Sequence, residues 1–215
     1  MKVLSKLSGK AIWLFETVEL NPLGLDLHPV YLAVKNKYGF STPKTRDEVD
    51  SPKDGIKFEN GNFSPNGSES FAVTLTVFGD GLVADATAGT GCAEAFLEDA
   101  VAFVQKQHGL FFEPSMVGRR RYGSQLLIES DRGLSRISES IADITAQLGA
   151  ETGRKYQTSC LKIAFDPTEP IDGLGPFLIE RRTNVPFALN RYFSSAPVRT
   201  EAHISLLERF EQLMA

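Results

Sequence analysis

Between residues 69 and 109 the hydrophobic pattern changes period in mid-course. Phe71, Val73, Leu75 and Val77 alternate with Ala72, Thr74, Thr76 and Phe78, the period of a strand with one face on a core. Gly79-Asp80-Gly81 supplies residues that tolerate the positive φ of a hairpin turn. Leu82, Ala84 and Ala86 then alternate with Val83, Asp85 and Thr87 as a returning strand. After Ala88-Gly89-Thr90-Gly91 the period becomes helical, and Phe96, Leu97, Ala100, Val101 and Val104 form one stripe. Thr90 is expected to cap this helix. Glu94, Glu98 and Asp99 load its early turns with negative charge, and Gly109 ends it behind Lys106 and His108.

The same patterns extend along the chain. Residues 11–20 read as a strand with Ile12, Leu14, Val18 and Leu20 toward a core and Trp13 and Phe15 on the other face. Residues 27–38 read as a helix capped by Asp26, with Val30, Tyr31, Val34 and Tyr38 as its stripe. Residues 41–55 are polar and proline-bearing, a surface loop. Strands follow at 56–63, with Ile56 and Phe58 inward, and at 124–129. Leu134, Ile137, Ile141, Ile144 and Leu148 recur at steps of three and four, the clearest amphipathic helix, capped by Asp131 and closed by Gly149. Residues 156–165 and 177–182 read as strands around an irregular, proline-rich 166–176. Residues 183–198 read as irregular, and Thr200 caps a last helix carrying Ile204, Leu207 and Phe210.

These elements give an α+β fold: a mixed, mainly antiparallel sheet with amphipathic helices on one face. The chain forms either one compact domain or two intimate halves, 1–117 and 118–215. Both halves run strand, helix, strands, helix, although their residues do not repeat. That order resembles the TATA-binding-protein-like saddle, in which two halves share one curved sheet; a ferredoxin-like pair of layers fits nearly as well. The resemblance is one of topology, and no residue is carried over from it.

Composition narrows the function classes. The 215 residues are 42% hydrophobic and 23% charged, with net charge −4, so the chain has no overall attraction to nucleic acid or anionic lipid. Cys92 and Cys160 stand far apart, without metal spacing or a disulfide framework. The apolar run from Ala11 is interrupted by Glu16 and Glu19, and no stretch approaches a membrane span. A cytoplasmic location, no cofactor and no membrane partner are expected.

Candidate chemistry is sparse. His28, His108 and His203 lie at helix ends or flanks with no local partners, so solvated or structural roles are expected. The Gly89–Gly91 turn lacks P-loop spacing, and the acids behind it oppose a phosphate. They also oppose activation of Cys92 by its helix. Glu59, Asp80 and Asp85 lack a ligand-rich loop for a cation. Arg119, Arg120 and Arg121 form the densest basic run, an anion or nucleic-acid candidate.

Aromatic side chains decide the reading. Trp13, Phe15 and Phe78 are assigned to an uncovered sheet face, and Phe187, Arg191, Tyr192 and Phe193 to an arginine-aromatic segment of the kind interfaces enrich. The leading expectation is a non-catalytic interaction or assembly module that binds a protein partner or a second copy through these residues. Nucleic-acid or phosphate binding through the arginine run comes second, and an enzyme of unrecognised type third. An apolar pocket between sheet and helices, holding a small molecule, stays open as a further reading.

Overall fold

The computed structural model describes residues 1–41, 55–67, 69–166 and 175–214. The loops expected at 42–54 and 167–174 lie outside the described residues. Among the described residues, eight strands and five α-helices form an α+β fold. The elements are β1 (Lys2–Leu14), α1 (His28–Tyr38), β2 (Ile56–Phe63), β3 (Phe71–Phe78), β4 (Gly81–Ala86), α2 (Thr90–His108), β5 (Arg119–Glu129), α3 (Ser135–Ser140), α4 (Ala142–Thr152), β6 (Cys160–Ile163), β7 (Phe177–Arg181), β8 (Arg191–Ala196) and α5 (Thr200–Leu213). The strands hydrogen-bond in the order β2-β3-β4-β1-β5-β8-β7-β6. The chain divides into two compact units: a first of residues 7–124 with 198–200, and a second of residues 1–6, 125–197 and 201–215.

In the first unit, antiparallel register decides which side chains share a face. Phe58, Leu75, Ala84 and Ala11 form one cross-strand row, and Ile56, Val77, Leu82 and Trp13 form the next. Helices α1 and α2 cover this face with Val30, Val34, Tyr38, Phe96, Leu97 and Val101. Trp13 is 1% exposed and Phe15 8%, so both belong to the core and not to an uncovered face. The expected orientation of this strand is therefore reversed, because Ala11, Trp13 and Phe15 point inward while Ile12 and Leu14 are half-buried. A strand apolar on both faces carries no internal signal for its phase; the partner strand sets it, through Trp13 opposite Leu82. The strand also begins earlier than expected, at Lys2, and ends at Leu14, after which Thr17–Leu20 forms a 3-10 turn.

Two glycines set how closely the layers approach. A Cβ at Gly9 would lie 2.0 Å from the Gly89 carbonyl carbon, where α2 begins against β1. A Cβ at Gly61 would lie 2.2 Å from the Phe40 ring. Phe40 thereby joins an edge-to-face cluster in which the Tyr38 and Phe96 centroids are 4.9 Å apart and those of Phe63 and Phe96 5.5 Å. Such pairs add to simple burial.

The second unit holds a smaller core of Leu126, Ile128, Leu134, Ile179, Tyr192 and Leu207. The long helix expected at 132–148 is broken at Ile141, whose φ −119° and ψ 21° leave the helical region. Ser130, not Asp131, organises its start: the Ser130 hydroxyl accepts the Gly133 N–H at 2.8 Å. Only Leu134 of the stripe is fully buried; Ile137 and Ile141 are half-buried, and Ile144 and Leu148 are 61% and 43% exposed. The stretch expected to be irregular contains β8, in which Tyr192, Ser194 and Ala196 point inward. The polar Ser194 and the small Ala196 hide the alternation that marks a strand.

Candidate functional site

An apolar concavity lies inside the first unit, between the sheet and helices α1 and α2. It has a volume of about 120 Å³. Leu75, Val77 and Leu82 form its floor, Val30 and Val34 one wall, and Leu97, Ala100, Val101 and Val104 the other. The strap of residues 16–27 lines the remaining side, contributing Thr17, Leu20, Asn21 and Leu27. The strap is anchored at both ends of its turn. Thr17 Oγ1 donates to the Phe78 carbonyl at 2.8 Å, and its N–H to the Gly79 carbonyl at 2.9 Å. The Asn21 side chain donates to the Leu25 carbonyl and accepts the Leu25 N–H, both at 2.8 Å.

The lining contains no carboxylate, imidazole, thiol or amine. The side chains of Thr17 and Asn21 have their hydrogen bonds within the strap and the turn it rests on. The cavity therefore offers dispersion contacts and the hydrophobic effect, and little else. Its polar side chains are the Thr17 hydroxyl, the Asn21 amide and the Tyr31 phenol.

A polar cluster in the same unit is internally satisfied. The buried Glu94 carboxylate accepts from Tyr122 at 2.7 Å and pairs with Arg199 at 2.6 Å and Arg120 at 3.2 Å. Burial acts to raise the Glu94 carboxyl, but these hydrogen bonds and charges outweigh it and hold it below the usual carboxylate range. Burial and the Glu94 hydrogen bond raise the Tyr122 phenol. The Arg120 guanidinium lies 4.9 Å above the Trp13 ring. Among the described residues, the buried Trp13 Nε1 has no hydrogen-bond partner.

In the second unit, Ser194 Oγ lies 2.9 Å from His203 Nε2, and both residues are fully buried. The spacing matches a nucleophile and its base, but the proton direction does not. Ser194 donates its only proton to the Leu178 carbonyl at 2.7 Å, so the ring nitrogen donates to the serine. Burial lowers the His203 imidazole to about 4, and it stays neutral at pH 7. The pair is a core hydrogen bond.

The residues singled out in the sequence are dispersed. On a strand, side chains alternate, so Arg120 faces the opposite way from Arg119 and Arg121, and the three do not make one basic surface. Of the arginine-aromatic segment, Tyr192 is 1% exposed and Phe193 half-buried on alternating faces of β8. Arg191 pairs with Glu129 at 2.8 Å. Phe187 is exposed and lies under the Arg181 guanidinium. Phe78 is half-buried. Asp85 accepts from Ser8 at 2.7 Å and Glu59 pairs with Lys57, while Asp80 sits exposed at its turn. Cys92 is half-buried and burial raises its thiol. No group of three metal-ligating side chains occurs among the described residues, and none of their helices is long and apolar enough to cross a membrane.

The cavity was not foreseen at particular residues, yet a cue is present. Of the seven helix-borne lining residues, Val30, Val34, Ala100, Val101 and Val104 are short, and Tyr31 and Leu97 are long. Comparison with protein-family models, with curated proteins and with solved structures finds no match to this chain.

Proposed function

We propose that this chain is a non-catalytic binding module whose first unit takes a small apolar ligand into its core. One observation carries the proposal: an apolar concavity of about 120 Å³ lined by Val30, Val34, Leu75, Leu97 and Val101 of the first unit's core. Protein interiors approach crystal density and seldom keep voids above water size. An apolar body bound there would take this apolar lining out of water. An engineered apolar cavity of about 150 Å³ stays dry and binds benzene.

The test is thermal melting with benzene, indole and 1-hexanol, for wild type and Ala100→Leu. The account expects each compound to raise the wild-type midpoint with saturation, and Ala100→Leu to melt at or above wild type while losing the response. A wild type indifferent to every compound contradicts it.

A second reading rests on a different observation. In the second unit, Ile144, Leu148, Ile163 and Phe165 are 61%, 43%, 56% and 39% exposed. Apolar exposure of this kind favours an assembly role, with a second copy of the chain as the occupant. Sedimentation of wild type and of Ile144→Lys with Leu148→Lys checks it; a wild type that stays monomeric at high concentration removes this reading.

A further inference from the structure

The closed end and the open end of the cavity differ. Phe58, Leu75, Leu82, Leu97 and Val101 are buried, whereas Leu20, Asn21, Leu27 and Tyr31 are half-buried, so the cavity approaches solvent beneath the strap. The outer surface there is apolar too. Val18, Leu23 and Leu25 of the strap are 73%, 78% and 42% exposed. Phe111, 45% exposed, is tied to the strap by its N–H, which donates to the Leu20 carbonyl at 2.8 Å. Asn21, itself a lining residue, clasps Leu25 beside the mouth. The apolar path thus continues from the cavity onto the rim. Carboxylates outnumber cations along the neighbouring chain: Glu16, Glu19 and Asp26 are exposed on the strap and Asp80 on the turn that holds it, against His28 and, at the end of α2 just before Leu110, exposed Lys106 and half-buried His108.

We infer that the ligand is a single-chain amphiphile whose alkyl end fills the cavity, whose chain leaves across Leu23, Leu25 and Phe111, and whose head is uncharged or cationic. This rests on the cavity reading above and names its ligand class. The cavity holds about as much as a six-carbon body, by analogy with benzene in ~150 Å³, so a longer chain must use the rim. Exposed carboxylates around the mouth raise the local concentration of cations and lower that of anions.

Calorimetric titration with 1-hexanol, 1-octanol and 1-decanol, and with decyltrimethylammonium and decanoate below their micelle concentrations, tests it. Affinity is expected to rise about fourfold per methylene through decanol, from ~0.8 kcal/mol for each buried CH₂. Decanoate is expected to bind roughly tenfold more weakly than decyltrimethylammonium. Leu23→Ser with Leu25→Ser should keep hexanol affinity and lose the increments beyond it. Affinity that stops rising at hexanol overturns the amphiphile while leaving a compact cavity ligand standing. Decanoate binding more tightly than the cation overturns the head-group assignment. Failure of every alcohol to bind removes both this inference and the cavity reading.

Discussion

The two units bury their apolar side chains to different degrees. In the first, five aromatic rings from α1, α2, β2 and the Phe40 turn meet edge to face, and Phe96 is fully buried among them. In the second, α4 has no fully buried residue, and Arg181 lies between the Phe187 and Tyr192 rings, 4.9 and 5.0 Å from their centroids. The difference teaches that uncovered apolar surface means different things in the two. In the second unit an apolar residue left exposed is one of several, whereas in the first the concavity lies among the buried residues of its core, the observation on which the ligand proposal rests.

The largest expected effect sharpens this contrast. Phe96→Ala should destabilise the first unit by about 3–5 kcal/mol, the range for deleting a buried ring. Trp13 is the sole tryptophan and sits in that unit's core, so its fluorescence in a urea titration reports the loss. A loss below about 1 kcal/mol would mean that the aromatic cluster is not what holds the unit.

The next effect is specific to the second unit and depends on pH. Neutral His203 is favoured by burial in the folded state, with its pKa lowered from 6.5 to about 4. Only the unfolded chain takes up that proton as pH falls from 6.5 to about 4, so stability present above pH 6.5 is lost through that window and falls no further from this group below it. At about 1.36 kcal/mol per pKa unit, the loss is of order 3 kcal/mol. His203→Gln should remove this part of the acid limb, read as urea midpoints at pH 7 and pH 4.5. Parallel pH dependence in both proteins would show that the imidazole is not buried neutral.

The smallest effect probes the loose side. Ile144→Lys should change stability by no more than about 0.5 kcal/mol, as exposed substitutions do. Ile141→Asp should cost more, about 1–2 kcal/mol, because Ile141 is half-buried at the helix break. Equal, large losses at both positions would mean that α4 packs into a core.

How far these features were legible follows from where each signal resides. The β3–β4 hairpin and α2 were readable because period, turn glycines and stop residues agree within one stretch. Gly109 ends α2 at φ 68°, as its position suggested. Thr90 is not the cap its position suggested: Gly89 is the N-cap of α2, without a side-chain cap hydrogen bond, and Thr90 is the first helical residue. Its hydroxyl accepts the Thr200 N–H and Thr200 Oγ1 accepts the Thr90 N–H, each at 3.0 Å, a relation spanning 110 positions. The phase of β1 was not legible, because Ile12, Trp13, Leu14 and Phe15 are apolar on both faces and only the register to β4 decides. The stripe from Leu134 to Leu148 recorded a face, and not whether anything covers it. The cavity is a volume left between three elements, and no single stretch records it.

Methyl NMR of the first unit during a benzene titration tests the central claim most directly. The cavity account predicts saturable shifts at Val30, Val34, Leu97 and Val101, which line the void, with Leu126 and Ile128 of the second unit unmoved. Shifts absent from those four residues, or spread equally over both units and rising without saturation, would contradict it.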